Sequence, residues 1–331
     1  VGRGVKPAFA ITLNGTDITG NIADRLISLS ISDEAGISSD RFELSLDDRD
    51  HALGWPGAGV ELEIALGYRE TGGARTMGRY TVDEVESSGP PAVLNLRGAA
   101  ADMLASLKSQ RRADYDGKTL GEIVRTIAAR HRLTPQIAAA LEAQPVEHLD
   151  QTDESDLHLL TRLAEQFGAI AKPAAGRLLF VEVGKGLDAS GAAMPAVAIV
   201  RNQVTSWRAS EQERQFYSRV EARWKPARRH SSVTLAVGAG DPSITLRNAF
   251  RTEAEAKRAA QARLRKMSRG RTALSLSLPG DPELVAERPI TLSGFRDGVD
   301  GDWIIKSAEH RLDSSGYTTS IEAQRPDAVS E

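Results

Sequence analysis

The sequence contains no cysteine. Disulfides, a thiolate nucleophile and cysteine metal ligation are therefore excluded, and the composition suits a reducing compartment such as the cytoplasm. Aromatic residues make up only 5%, too few for a stacking platform on single-stranded nucleic acid. No apolar run approaches the roughly 20 residues a membrane helix needs, and the basic residues within 1–7 have no apolar stretch behind them, so no secretion signal is expected. Charge of one sign is missing too. The formal net charge is -3, which gives no general attraction to nucleic acid or anionic membrane. The six histidines never pair at i, i+4, and neither HExxH nor GxSxG occurs, so no zinc site and no hydrolase elbow is indicated. Gly238-Ala239-Gly240, followed by Asp241 and Pro242, reads as a hairpin turn rather than a dinucleotide loop. The expectation is no catalytic residue, no cofactor, no metal, no specific nucleic acid and no membrane insertion.

What is present is enough for real cores. The chain has 331 residues, 40% hydrophobic and 26% charged, which suggests about two to three domains. Residues 1–98 alternate with period two: Ile27, Leu29 and Ile31; Phe42, Leu44 and Leu46; Val60, Leu62, Ile64 and Leu66; then Tyr80 and Val82, and Leu94 and Leu96. Gly and Pro clusters at 54–59, 72–73 and 89–91 separate these strands. Five or six short strands with one polar face predict a small barrel or sandwich.

Residues 99–184 change character. A short helix is expected at 99–107. Thr119 and Glu122 form a capping box ahead of Leu120, Ile123, Val124, Ile127 and Ala128 on one helix face. A second helix, capped by Asp153 or Ser155, runs to Phe167 with Gly168 as its left-handed end, and a hairpin follows through 169–183. Residues 185–331 return to strands, at 217–224, 233–237, 243–246, 274–278, 290–294, 303–308 and 318–323. One helix over 252–268 interrupts them, with Thr252 and Glu255 as another capping box.

The two β stretches share landmarks. Gly67-Tyr68-Arg69, Gly78-Arg79-Tyr80-Thr81-Val82 and Ser87-Ser88-Gly89 are answered by Gly294-Phe295-Arg296, Gly301-Asp302-Trp303-Ile304-Ile305 and Ser314-Ser315-Gly316. Two hairpins alike by chance would give this, and so would a duplicated barrel. Three chains with two barrels each would present six in a ring, mating a sixfold partner to a threefold one.

Charged residues carry competing readings. Glu154 and Asp156 could be an acid/base pair for cell-wall hydrolysis, but acids are also favoured in a first helical turn. A peptidoglycan-binding module, from a small unit around 119–132, is the other alternative. Residues 251–271 hold eight Lys/Arg against two Glu, and 207–230 hold seven against three. They suit a channel wall, an acidic partner surface, transient contact with passing DNA, or a solvated face.

The segment 151–168 resembles the Q-x-x-E-S-D-(apolar)-x-(apolar)-L-x-R-L-A pattern of phage late control protein D hubs, which are related to the N-terminal part of VgrG spikes. Gln151, Glu154, Ser155 and Asp156 carry the match. The stretches 254–271, 278–282, 301–305 and 309–319 are similar to the same family's C-terminal region. Leu157, His158, Leu159 and Leu160 replace the aromatic residues common after the motif in VgrG-like chains, which favours the D-type hub. The resemblance implies an α+β, β-rich fold: a tube-like β-barrel at 1–98, a helix and hairpin insert at 99–184, and a second tube-like barrel at 185–331. It implies a structural baseplate hub of a contractile tail, a homotrimer joining a hexameric tail tube to a trimeric spike. Other baseplate proteins and the tape measure protein are further candidate partners. The virion tail or a tail-like particle, assembled in the bacterial host cytoplasm, is the implied location. Loops 69–78 and 297–302 are candidate ring contacts, through Arg69, Arg75, Arg79, Arg296, Asp297 and Asp302, because equivalent loops on repeated barrels would meet around a ring.

Overall fold

In the computed structural model the structure describes residues 5–36, 40–101, 105–174, 176–187, 192–211, 217–226 and 231–326. Six main strands build a first β unit, with the short strand Thr16–Asp17 at its edge: β1 (Pro7–Leu13), β2 (Leu26–Glu34), β3 (Arg41–Asp47), β4 (Glu61–Tyr68), β5 (Gly73–Ser88) and β6 (Val93–Ala100). Alternate residues of every strand enter one core, among them Ile11, Leu29, Ile31, Phe42, Leu44, Leu62, Ile64, Tyr80, Val82, Leu94 and Leu96. That is what period-two patterning requires of a sheet with one apolar face. Ile27 departs from the expected alternation and is 43% exposed. A bulge between Leu26 and Ser28 gives the strand one extra residue, which turns Ile27 outward.

The second β unit is formed by β7 (Val197–Val200), β8 (Ser206–Glu211), β9 (Thr272–Pro279), β10 (Pro289–Ser293), β11 (Gly301–Asp313) and β12 (Gly316–Gln324). Its spatial order is β7-β10-β11-β12-β9-β8, and that of the first unit is β1-β4-β5-β6-β3-β2. Each strand thus occupies the place of the strand six numbers earlier. The match reaches single residues. Val82 exchanges backbone hydrogen bonds with Val60 and Gly59, and Ile305 does so with Arg288 and Glu287. Gly59 and Glu287 both have left-handed φ, +88° and +64°. One residue further on, each long strand bulges, between 82 and 84 and between 305 and 307. Tyr80 and Trp303 are therefore equivalent, and each is 2% exposed. The Ser-Ser-Gly landmarks are not: by this register Ser88 matches Arg311, because the second hairpin is longer.

The units share one continuous sheet, through antiparallel pairing of residues 307–313 of β11 with β2. Leu312 and Tyr317 of the second unit enter the first unit's core. The ladders form an open path ending at β8, and among the described strands neither unit closes on itself. The expected pair of closed barrels is thus seen as two curled sheets, each wrapped around its own core.

Two insertions leave this sheet. The first follows β6 and holds helices α1 (Leu120–Arg130) and α2 (Asp156–Phe167), packed with the hairpin Ala169–Ala174/Arg177–Glu182 around Leu120, Ile123, Ile127, Leu159, Leu163 and Phe180. Thr119 and Glu122 make the capping box, Ser155 rather than Asp153 caps α2, and Gly168 ends it with φ +66°. The expected helix at 99–107 is instead the end of β6, where Ala99 pairs with Arg41 and Ala100 with Tyr80, followed by a 3-10 turn, Ala105–Lys108. Ladder hydrogen bonds override the helix preference of Ala99 to Ala101. The second insertion lies between β8 and β9. Its strands Arg219–Trp224, Val233–Gly238 and Ser243–Phe250 do not join the main sheet as expected but form their own, covered by helix α3 (Glu253–Arg269) over Val220, Ala222, Ala256 and Ala260.

Candidate assembly surfaces

The family-like motif lies at the entry to α2, where strand Asp150–Ser155 pairs with Gln110–Asp114. Asp156 is fully buried. Its carboxylate accepts from Arg130 Nη1 at 2.8 and 2.9 Å, from Gln151 Nε2 at 2.9 Å and from His131 Nε2 at 2.7 Å. Arg111 Nε lies 3.2 Å away. Burial alone would raise Asp156; the bonds from Gln151, Arg130 and His131 override it and hold the carboxyl below its ordinary range. Glu154 is also held low, where burial is overcome by Arg162 and His158. Ser155 Oγ accepts from His158 N at 3.2 Å. Asp156, held by Gln151, therefore clamps the start of α2 to the end of α1, while Glu154 and Ser155 fix the first turns of α2 itself.

The candidate contact residues divide. Arg69, Arg79, Arg296 and Asp297 are exposed. Arg75 is engaged within the chain, in an ion pair with Glu283. Asp302 is exposed, but its Oδ1 accepts from Thr291 Oγ1 at 2.8 Å and its carbonyl from Arg325. Arg325 also donates to the carbonyls of Gly298 and Asp300 and lies 4.1 Å from the Trp303 ring centre. Loop 297–302 is thus braced from beneath, while its rim at Arg296 and Asp297 faces outward. Tyr68 lies beside Tyr317, ring centres 5.6 Å apart, so hairpin 67–75 borders the joint between units.

At that joint a charged node ties three parts together. Lys172 Nζ, from the first insertion, donates to Asp33 Oδ1 at 3.0 Å, Asp40 Oδ1 at 2.7 Å and the Glu34 carbonyl at 2.8 Å. Asp33 Oδ2 accepts from Ala286 N of the second unit at 2.8 Å. Burial, reinforced by the Asp33 charge, pushes Asp40 up to about 7.

The profile of the phage tail baseplate hub (GPD) family matches residues 34–316. The chain belongs to that family. The probable baseplate hub protein of Escherichia phage 186 is 34% identical, across 98% of this chain and 94% of its own. The 43 kDa tail protein of prophage MuSo2 from Shewanella oneidensis has the same fold at 16% identity, with a TM-score of 0.75 over 97% of this hub and 99% of that chain. A component of the E. coli type VI secretion system, itself similar to T4 tail proteins gp27 and gp5, matches with a TM-score of 0.61 at 12% identity over 92% of the hub and 74% of that chain. The D-type resemblance is confirmed, as is the VgrG-like kinship of the fold. The hub is a component of the phage virion tail.

Other readings find less support in the hub. A glycosidase acid needs a raised pKa, whereas Glu154 and Asp156 are both held low and engaged with basic partners. One group missed in the sequence, Asp114, His148 and Asp150, has ligand atoms within 4.8 Å of one another. His148 and Asp150 are neighbours, but Asp114 lies on a separate strand, so no spacing rule exposes the group. His148 already bonds Asp116 and Asp150. The basic stretch 251–271 is partly spent internally: Arg258 donates to Gln144 at 2.6 Å and lies over Phe167, and Lys266 pairs with Glu165. Of the basic stretch 207–230, residues 212–216 and 227–230 lie outside the described residues.

Proposed function

We propose that the hub acts as a homotrimer in which six repeated units form a pseudo-sixfold ring. One side of the ring continues the hexameric tail tube, and the other receives the trimeric spike. The carrying observation is the residue-level match of the two β units. A chain holding two copies of one fold can place six equivalent surfaces around a threefold axis, which is the geometry a symmetry adaptor needs. Family membership supports the baseplate setting. In this reading the two curled sheets, within 1–98 and 185–331, take the place of the tube-like barrels. The insert 99–184 stands outside the ring, and no chemistry is required. The exposed residues Arg69, Arg79, Arg296 and Asp297, with Asp302 beside them, lie at ring or partner contacts. Arg75 serves the joint inside each chain. Other baseplate proteins and the tape measure protein meet the assembled ring, which forms in the host cytoplasm before the tail is complete.

Electron microscopy of the purified hub mixed with the spike protein of its own tail provides the test. Rings with threefold symmetry and six similar lobes are expected. Particles carrying single, unringed hub chains on the spike would contradict the proposal.

A further inference from the structure

The joint inside the chain is a template for a joint between chains. Inside, residues 307–313 of β11 pair with β2 in the register Ala308–Asp33, Glu309–Ser32, His310–Ile31 and Arg311–Ser30. The equivalent of β11 in the first unit is β5, and that of β2 in the second unit is β8. Both lack this partner among the described residues. Residues 83–88 of β5 are paired only with β6, and β8 is paired only with β9. An unpaired edge is a row of free backbone donors and acceptors, ready for a strand from another chain.

We infer that β8 of one hub chain adds antiparallel to residues 83–88 of the next, with the Trp55 loop folded over that joint. This rests on the trimeric reading and specifies its contact. Ladder equivalences set the register. Val85, Glu86, Ser87 and Ser88 correspond to Ala308, Glu309, His310 and Arg311, through their partners on β6 and β12. Ser30, Ile31, Ser32 and Asp33 correspond to Arg208, Ala209, Ser210 and Glu211, through β3 and β9. The intermolecular pairs are then Val85–Glu211, Glu86–Ser210, Ser87–Ala209 and Ser88–Arg208. A Glu–Ser pair recurs in the same place as Glu309–Ser32, and Arg208 falls diagonal to Glu86, a favourable charge arrangement. One edge of the second unit meets a different edge of the first, so the contact is head-to-tail and closes when three chains complete a ring.

The loops agree with the strands. In the second unit the β9–β10 connection lies over the internal joint: Leu284 is fully buried, Ala286 N donates to Asp33 across it, and Glu283 pairs with Arg75. The β3–β4 connection is its counterpart. It carries Trp55, 63% exposed and the most exposed of the large apolar side chains among the described residues. An indole in water on the loop whose sister buries a leucine fits a surface completed by a second copy of this chain.

The absence of cysteine makes the register directly readable. Directly opposed strand residues have Cα atoms about 4.5–5.5 Å apart, within disulfide reach. Oxidation of the E86C/S210C hub should give covalent trimers on non-reducing gels. The E84C/R208C hub, offset by four residues or roughly 13 Å, should stay unlinked. Trp55→Ala should weaken trimer formation at least tenfold while the unfolding midpoint of the monomer stays put. A trimeric mass with no E86C/S210C link, or equal linking by both pairs, overturns the strand joint and leaves the ring standing. Unchanged trimer affinity of Trp55→Ala overturns the loop's part. A monomeric mass under every condition rejects the trimeric reading itself.

Discussion

The two β units of the hub have one strand order and two sets of surroundings. In the first, β1 runs antiparallel to β4; in the second, β7 runs parallel to β10. The first joins β2 to β3 by a short connection, whereas the second interrupts β8 and β9 with a sheet and helix of their own. The elements that stayed alike are those that fill the core, the paired bulges and the left-handed turn at Gly59 and Glu287. What diverged is edges and connections, where changes cost little core packing. The same contrast separates the two joints. One is made inside the chain by β2 and β11, and its counterpart edges are open among the described residues.

If the units are equal versions of one fold, Tyr80→Ala and Trp303→Ala should cost alike, about 3–5 kcal/mol each. Urea unfolding would measure both, and a large loss at one site with a small loss at the other would break the equivalence. The internal joint should be the next most sensitive place. A Cβ at Gly280 would lie 2.1 Å from the Tyr317 ring, so Gly280→Ala should destabilise by about 1–3 kcal/mol. A neutral result would mean that the joint adapts freely.

The node at Lys172 sharpens the comparison through pH. Asp40 is raised to about 7. Its stabilising contribution is complete below the pH at which unfolded aspartate titrates, about 4. That contribution is lost as pH rises through about 7, because the folded state holds the extra proton. Asp40→Asn should flatten this fall in unfolding free energy across the same window. A slope identical to the parent hub would assign it elsewhere. The smallest effect is expected at the rim. Arg296→Glu and Asp297→Lys should change monomer stability by less than about 0.5 kcal/mol and still weaken trimer formation, as read by sedimentation.

Much of this fold is legible in the sequence because its signals are local. Capping boxes at Thr119 and Thr252, the Gly168 helix end and the alternation through Phe42, Leu44 and Leu46 all lie within a few residues of what they specify. The Gly78–Tyr80 and Gly301–Trp303 landmarks align by register, so the repeat was visible too. Other features depend on distant partners. β1, β7 and β8 are not among the expected strands, although Phe9, Ile11 and Leu13 alternate. From sequence the strands of the second insertion read as part of the second unit, because strands carry no label for the sheet they join. Glu154 and Asp156 read as acids at a helix start. The partners Arg130 and His131, which make Asp156 a buried clamp, lie 26 and 25 residues away. The candidate contacts on loop 69–78 rest on the analogy between the two units alone, and Arg75 faces Glu283 within the chain.

The most direct test of the trimeric hub is its absolute mass by light scattering, alone and with the co-encoded spike protein. The chain mass is 35.6 kDa. A hub component of three times that mass, in either sample, is the expected result. A single-chain mass in both would contradict the six-unit ring.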